Sequence, residues 1–173
     1  MHQKIYTLEP LVSRITTHRQ AAESIVFTNG CFDLLHVGHV RYLQEAKHMG
    51  DRLVVGINSD QSVRNLSKGT GRPIISEQNR AEVIAALGCV AYVILFDESD
   101  PLTLIKALQP QILVKGGDWE PDRIVGKEFV EKRGGSVRSI PLTPESSRTL
   151  IIQKILAAYV HTSFPSDSSR MPF

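Results

Sequence analysis

Short apolar runs alternate with stretches of helical period through most of the chain. Ile25-Val26-Phe27, Leu53-Val54-Val55-Gly56-Ile57, Val90-Ala91-Tyr92-Val93-Ile94-Leu95-Phe96, Ile112-Leu113-Val114 and Val137-Arg138-Ser139-Ile140 have strand length. The unbroken runs suit parallel strands covered on both faces rather than half-exposed ones. Between them the period changes. A helix from about His36 to Met49 turns Val40, Leu43 and Ala46 inward and is expected to end with Gly50 at C′. A second opens at Ser76 and carries Arg80, Val83, Ile84 and Leu87. A third runs from Asp100-Pro101 to about Leu108, and a fourth over 124–132 stops at Gly134-Gly135. A last one follows Ser147, with Leu150, Ile151, Ile155 and Leu156 expected inward. Ahead of the first strand, Thr7 caps a helix striped by Leu8, Leu11, Val12 and Ile15, which would pack on the sheet edge or on a second subunit. Strands alternating with helices predict an α/β, doubly wound sheet of five parallel strands in a single domain over 24–159. Residues 1–23 form a leading helix and linker, and 160–173 a Ser- and Pro-rich tail expected to be disordered.

In such sheets ligands bind beyond the carboxyl ends of the strands. Several polar segments fall there. The first strand runs into Thr28-Asn29-Gly30-Cys31-Phe32-Asp33, and His36-Val37-Gly38-His39 then opens the helix. Two histidines at i and i+3 share one face of the first turn, where free N–H groups and the positive dipole end attract a phosphate. Gly38 has no Cβ and lets a ligand come close to the backbone. Asn58-Ser59-Asp60 closes the second strand, followed by a polar loop with Lys68-Gly69-Thr70-Gly71-Arg72-Pro73 at its tip. Lys115-Gly116-Gly117-Asp118 ends the fourth strand, and Ser147-Arg148-Thr149 starts the last helix, a second anion site or an ordinary Ser cap. Convergence on one edge is the residue-level argument for a single site.

The string Thr28 to His39 resembles the H-x-G-H signature of the cytidylyltransferase-like nucleotidyltransferases, and within them the heptose 1-phosphate adenylyltransferase branch. Matches continue through Asn58-Ser59-Asp60, Arg72-Pro73, Glu77-x-x-Arg80, Lys115-Gly116-Gly117-Asp118 and Ser147-Arg148-Thr149, covering about 24–157. The resemblance implies a Rossmann-like fold and transfer of AMP from ATP to a sugar 1-phosphate, D-glycero-β-D-manno-heptose 1-phosphate, with release of pyrophosphate. It implies His36, His39 and Lys68 as catalytic. It makes Thr28, Asn29, Gly30, Cys31, Phe32, Gly38, Lys115, Gly117, Asp118, Ser147, Arg148 and Thr149 nucleotide-binding. It makes Asp33, Asn58, Asp60, Arg72 and Arg80 acceptor-binding. It implies Mg²⁺ brought by the nucleotide, a homodimer or higher homo-oligomer, and a separate sugar kinase in the same pathway.

Rival readings stand beside these roles. Asp33 is equally a turn residue, Gly30 a turn requirement, Arg80 a surface ion pair, and Lys115 and Asp118 the end of a strand. Arg148 departs from the Ser-Thr-Thr of the heptose-type pattern. The cytidylyl branch, using CTP and glycerol 3-phosphate or another alcohol phosphate, carries an arginine just before this motif; Leu142-Thr143-Pro144-Glu145 has none, and Lys115 also favours the adenylyl branch, while Trp119 is shared with the cytidylyl one. A non-catalytic nucleotide sensor is a further alternative, disfavoured by the intact His36, His39 and Lys68. A class I aminoacyl-tRNA synthetase fragment lacks support, because there is no Lys-Met-Ser-Lys-Ser string.

Composition only narrows this picture. A net charge of +2 is too small to argue for nucleic acid or a membrane surface. No stretch reaches the roughly 18 apolar residues of a membrane span, and no signal-peptide core follows Met1. Cys31 and Cys89 lack metal-ligand spacing and are expected as reduced thiols in a cytoplasmic protein; no metal site made by the protein alone is expected.

Overall fold

The structure is a computed structural model, described here for residues 3–66, 71–117, 123–141 and 147–159. Lys68 and Asp118, together with Trp119, residues 142–146 and the tail 160–173, lie outside the described residues.

The element order is β1 (Ile5–Tyr6), α1 (Leu8–Gln20), β2 (Ile25–Gly30), α2 (Val37–His48), β3 (Arg52–Asn58), α3 (Asp60–Asn65), α4 (Glu77–Ala86), β4 (Tyr92–Phe96), α5 (Leu102–Leu108), β5 (Ile112–Gly116), α6 (Lys127–Lys132), β6 (Ser136–Ile140) and α7 (Arg148–Tyr159). The strands form one parallel sheet in the order β1-β4-β3-β2-β5-β6. Among the described residues the sheet therefore has six strands, not five. The added one is two residues long, pairing Ile5 with Val93 and Tyr6 with Ile94. Two residues carry no readable period; pairing alone makes them a strand.

Side-chain alternation explains why the inner runs are continuously apolar. Ile25 and Phe27 join one core cluster while Val26 joins the other. On β3, Leu53, Val55 and Ile57 face one way and Val54 the opposite way. One layer is closed by α2 and α4, through Leu43, Ala46, Ala81, Ile84 and Ala85. The other is closed by α1, α5 and α6, through Leu11, Ile15, Leu104, Ile105, Leu108 and Val130. Leu11 and Ile15 are fully buried, so α1 packs on the sheet face, not its edge, and shares the core of the segment that follows it.

Four local expectations change. Gly50 does not take a left-handed C′ conformation. Its missing Cβ is needed because one would lie 2.7 Å from Val26 Cγ2 and 2.8 Å from Ser24 Oγ. The polar stretch after β3 begins as a short helix, α3, capped by Ser59 Oγ accepting from the Ser62 amide. Val83 faces outward, while Arg80, Ala81, Ile84 and Ala85 form the buried side of α4. The inward face expected of the last helix is absent. No residue of α7 is buried, and Leu150, Ile155, Leu156 and Tyr159 are exposed.

Candidate active site

Counting from β2, the order 3-2-1-4-5 reverses between β2 and β5, which makes their carboxyl ends the switch point where α/β sheets bind ligands. Asn29 and Gly30 end β2, and Lys115 and Gly116 end β5. Lys115 Nζ donates to Asn29 Oδ1 at 2.7 Å and bridges the two ends. A cavity of about 380 Å³ opens there, lined by Asn29, Gly30, Cys31, Phe32, His39, Asn58 and Lys115 among the expected residues. Tyr42, Leu66, Ser99, Asp100, Pro101, Gly116, Arg123 and Val125 complete its wall. A larger hollow of about 790 Å³ lies between α5 and α6 and meets the first at Asp100 and Val125. Its rim alternates Lys106, Lys127 and Lys132 with Glu128 and Glu131, and it holds neither the strand ends nor the histidines.

The histidine pair has the geometry its spacing predicts. His36 is the N-cap of α2 in extended backbone, and its side chain makes no capping bond. His39 lies on the first turn, and the two rings stack with centroids 3.9 Å apart and planes 26° from parallel. The edge of Phe32 meets His39 at 5.4 Å. Nδ1 of both histidines is buried without a hydrogen-bond partner among the described residues. Burial lowers the His36 pKa. Burial, then the neighbouring His36, lowers that of His39 to about 4. At neutral pH His39 is an uncharged imidazole at the positive end of a helix, able to donate one hydrogen bond without a permanent charge.

The loop that delivers this pair is bent by residues without glycine's freedom. Phe32 and Leu34 have φ of 49° and 56°, in the left-handed region that costs non-glycine residues roughly 1 kcal/mol or more each. Gly30 is extended, and the space above it is taken by the Phe32 ring, 3.1 Å from where a Cβ would sit. Its glycine therefore serves the packing of Phe32 and is not a turn requirement. Gly117, with φ of 113°, is a true conformational glycine.

Buried polar side chains hold the loop in place. Asp33 Oδ1 accepts from the Ile74 and Ile75 amides, each at 3.1 Å. Arg80 is 2% exposed and donates to the carbonyls of Ile75, Cys31 and Asn58 and to Asp60 Oδ1. The Glu77-x-x-Arg80 spacing thus grips the start of α3 twice, since Glu77 Oε2 also accepts from the Asp60 amide at 2.6 Å. Arg80 is buried and is not a surface ion pair; its guanidinium braces the loop after β2, the end of β3 and the segment before α4. Asp60 is engaged by that brace, and the Asn58 side chain donates to Ser62 Oγ.

Thr28 is fully buried beneath the site, its hydroxyl 2.5 Å from that of Tyr42, which also donates to the Val114 carbonyl. Burial pushes the Tyr42 hydroxyl well above its usual pKa. Ser147 Oγ accepts from the Leu150 amide and caps α7, with Arg148 in the first turn pointing back toward Asp33 and Thr149 exposed. Arg72 is half-enclosed beside the same carboxylate. Tyr42 was readable in principle, three residues beyond His39 on the same helix face. Ser99, Asp100 and Arg123 had no local signal; the cavity collects them from separate loops. Among the described residues no three His, Cys, Asp or Glu side chains converge, and no helix is long and apolar enough to cross a membrane.

A doubly wound parallel sheet with stacked histidines at a helix start on its switch point is an α/β domain with the arrangement that binds anionic ligands. The cytidylyltransferase-like family model matches residues 27–162. The bifunctional protein HldE of Syntrophotalea carbinolica is 54% identical over 90% of this chain, and that of Geotalea uraniireducens 55% identical over 88%. The chain spans about a third of the length of these relatives, 32% and 31%. Among solved structures, the lipopolysaccharide core biosynthesis protein of Thermoplasma volcanium is 32% identical with a TM-score of 0.57, over 70% of this chain and 97% of that one. The chain belongs to the cytidylyltransferase-like family.

Proposed function

We propose that this domain transfers AMP from ATP to a sugar 1-phosphate, D-glycero-β-D-manno-heptose 1-phosphate, giving ADP-heptose and pyrophosphate. The observation that supports the chemistry is the stacked His36–His39 pair beside the switch-point cavity. The heptose branch is supported by the identity to the HldE proteins and by Lys115 at the end of β5.

In this reading an acceptor phosphate oxygen attacks the α-phosphorus, the Pα–O bond to the β-phosphate breaks, and pyrophosphate leaves with that electron pair. The attacking oxygen is already anionic, so no general base is required. His36 and His39 donate N–H groups to the oxygens that gain charge in the transition state, and the N-terminus of α2 adds its dipole. Asn29 and Lys115 set the nucleotide against the ends of β2 and β5, and Gly117 shapes the loop that follows. Arg80 and Asp33 keep the histidine loop in register, and positioning of this kind is a large part of catalysis without a protein nucleophile. Lys68 and Asp118 complete the reading as a phosphate-neutralising lysine and a nucleotide contact. Mg²⁺ arriving with the nucleotide would supply charge neutralisation on the phosphates; among the described residues no cluster of carboxylates stands ready to hold an ion without the nucleotide. The proposal extends to a homo-oligomer and to a sugar kinase that supplies the 1-phosphate.

The test is pyrophosphate release with Mg²⁺, crossing ATP, CTP and GTP against heptose 1-phosphate and glycerol 3-phosphate. Release with ATP and the heptose phosphate is expected. Release only with CTP and glycerol 3-phosphate would overturn the choice of branch, and nucleotide binding with no release in any combination would replace an enzyme by a sensor.

A further inference from the structure

The central strands β2 and β5 pair over three rungs, Val26–Ile112, Phe27–Leu113 and Thr28–Val114, and part after the third. One residue further on, Asn29 and Lys115 already line the switch-point cavity, with Gly30 and Gly116 beyond them. The last shared rung is therefore the place from which the two strand ends diverge. Tyr42 reaches that rung from α2. Its hydroxyl lies 2.5 Å from Thr28 Oγ1 on β2 and donates to the Val114 carbonyl on β5 at 3.3 Å. A phenol has one proton, so with that proton on Val114 the Thr28 hydroxyl donates to Tyr42. Both residues are buried, Thr28 completely.

Packing alone does not call for this hydroxyl. The buried face of α2 is Gly38, Tyr42, Leu43 and Ala46, and Tyr42 carries the one polar side-chain atom on it. A phenylalanine ring would fill the same space. Apolar contact is non-directional and sets where a helix packs more firmly than its height on the sheet. A hydrogen bond weakens steeply with distance and angle, so it fixes what apolar contact leaves loose. The helix held in this way carries His39, which precedes Tyr42 by three residues on the same face. Among the described residues the buried Nδ1 of His36 and of His39 has no hydrogen-bond partner. The place of the two rings over the strand ends thus rests on their stacking, on Phe32 and on the seat of α2 itself.

We propose that the Tyr42 hydroxyl is a positioning group for the histidine pair: it pins α2 to the last rung shared by β2 and β5 and so sets the height of His39 over the diverging strand ends. The inference rests on the reading of this site as one for nucleotidyl transfer. Tyr42 touches no reacting atom in that reaction; its effect passes through His39. Chemistry that depends on placement is sensitive to such a seat, since a shift of about 1 Å can cost a hundredfold.

The test is T28V/Y42F, which removes both hydroxyls together and leaves neither without the other. The double variant is expected to melt near the wild type. Its kcat should fall about tenfold, with the KM for MgATP and for heptose 1-phosphate changed less than about twofold. Added to H39A, the same two changes should cost nothing further, because a group that acts through His39 is idle without it. The His39 imidazole signals, followed by nuclear magnetic resonance without substrate, should shift in the double variant. Y42F alone gives the same readings should the double variant fail to fold. Unmoved His39 signals overturn the inference, and so does a wild-type kcat or a full tenfold loss on top of H39A. A wild-type protein that releases no pyrophosphate, with His39 signals that still shift in the variant, keeps Tyr42 as the positioning group and discards nucleotidyl transfer instead.

Discussion

Helices α2 and α7 both start at the carboxyl edge of the sheet with polar residues in their first turn, yet they are held in opposite ways. Helix α2 buries Gly38, Tyr42, Leu43 and Ala46 against β2 and its neighbours. Helix α7 buries nothing, although it is the more apolar of the two. The start of α2 therefore inherits the rigidity of the core, and its histidines are fixed relative to the strand ends to within a stacking contact. The start of α7 is positioned by a serine cap and a long ion pair to Asp33. In the proposed function, the difference separates groups that must be preorganised for a transition state from a group free to adjust to a ligand.

The largest expected effect lies on the α2 side. H39A should lower turnover by about a thousandfold, as loss of a transition-state donor does, with little change in thermal unfolding. A rate within tenfold of wild type in a folded variant would remove His39 from the chemistry. R148A, on the α7 side, should cost only about tenfold and act on KM, so the ratio of the two losses measures the contrast directly.

Stability sharpens the same comparison. L43A removes a fully buried side chain and should destabilise by about 2–5 kcal/mol in denaturant unfolding. L156S on exposed α7 should stay within about 0.5 kcal/mol. Equal losses would mean that α7 is packed against something that covers its apolar side.

Smaller than the loss expected of L43A is a pH dependence. The folded-state pKa of His39 is lowered to about 4 from 6.5. Between those values the unfolded chain takes up a proton that the folded one does not, so stability is intact above about pH 6.5 and falls as the pH drops toward 4. Allowing for a ring partly open to solvent, the loss should be about 1–2 kcal/mol. H39N should lack it. An identical acid slope in the two proteins would show that His39 is not held neutral by the fold.

Much of this was legible because the sheet is covered on both faces. Continuous runs such as Leu53 to Ile57 could only be buried parallel strands, and the change to helical period after His36 located the histidine pair and its face. The H-x-G-H string with its preceding strand marked the candidate site that the switch-point cavity adjoins. Other residues were legible as types but not as roles. Arg80 reads as a cation near a helix start; only folding brings three carbonyls and Asp60 around it. Thr28 reads as part of the nucleotide string, but strand alternation turns it down onto Tyr42. The last helix reads as inward-facing from its apolar content, which says that a face wants covering and not what covers it.

The sequence by itself determined the local periods, the order of elements, the switch-point edge and the chemical inventory on it, because these follow from side-chain spacing along one chain. Only the tertiary structure decided that Ile5-Tyr6 joins the sheet, that Arg80 is a brace, and that Asp33 faces two arginines from segments 39 and 115 residues away in the chain. Those outcomes depend on contacts between distant segments, and no local pattern encodes the distance at which two loops will meet.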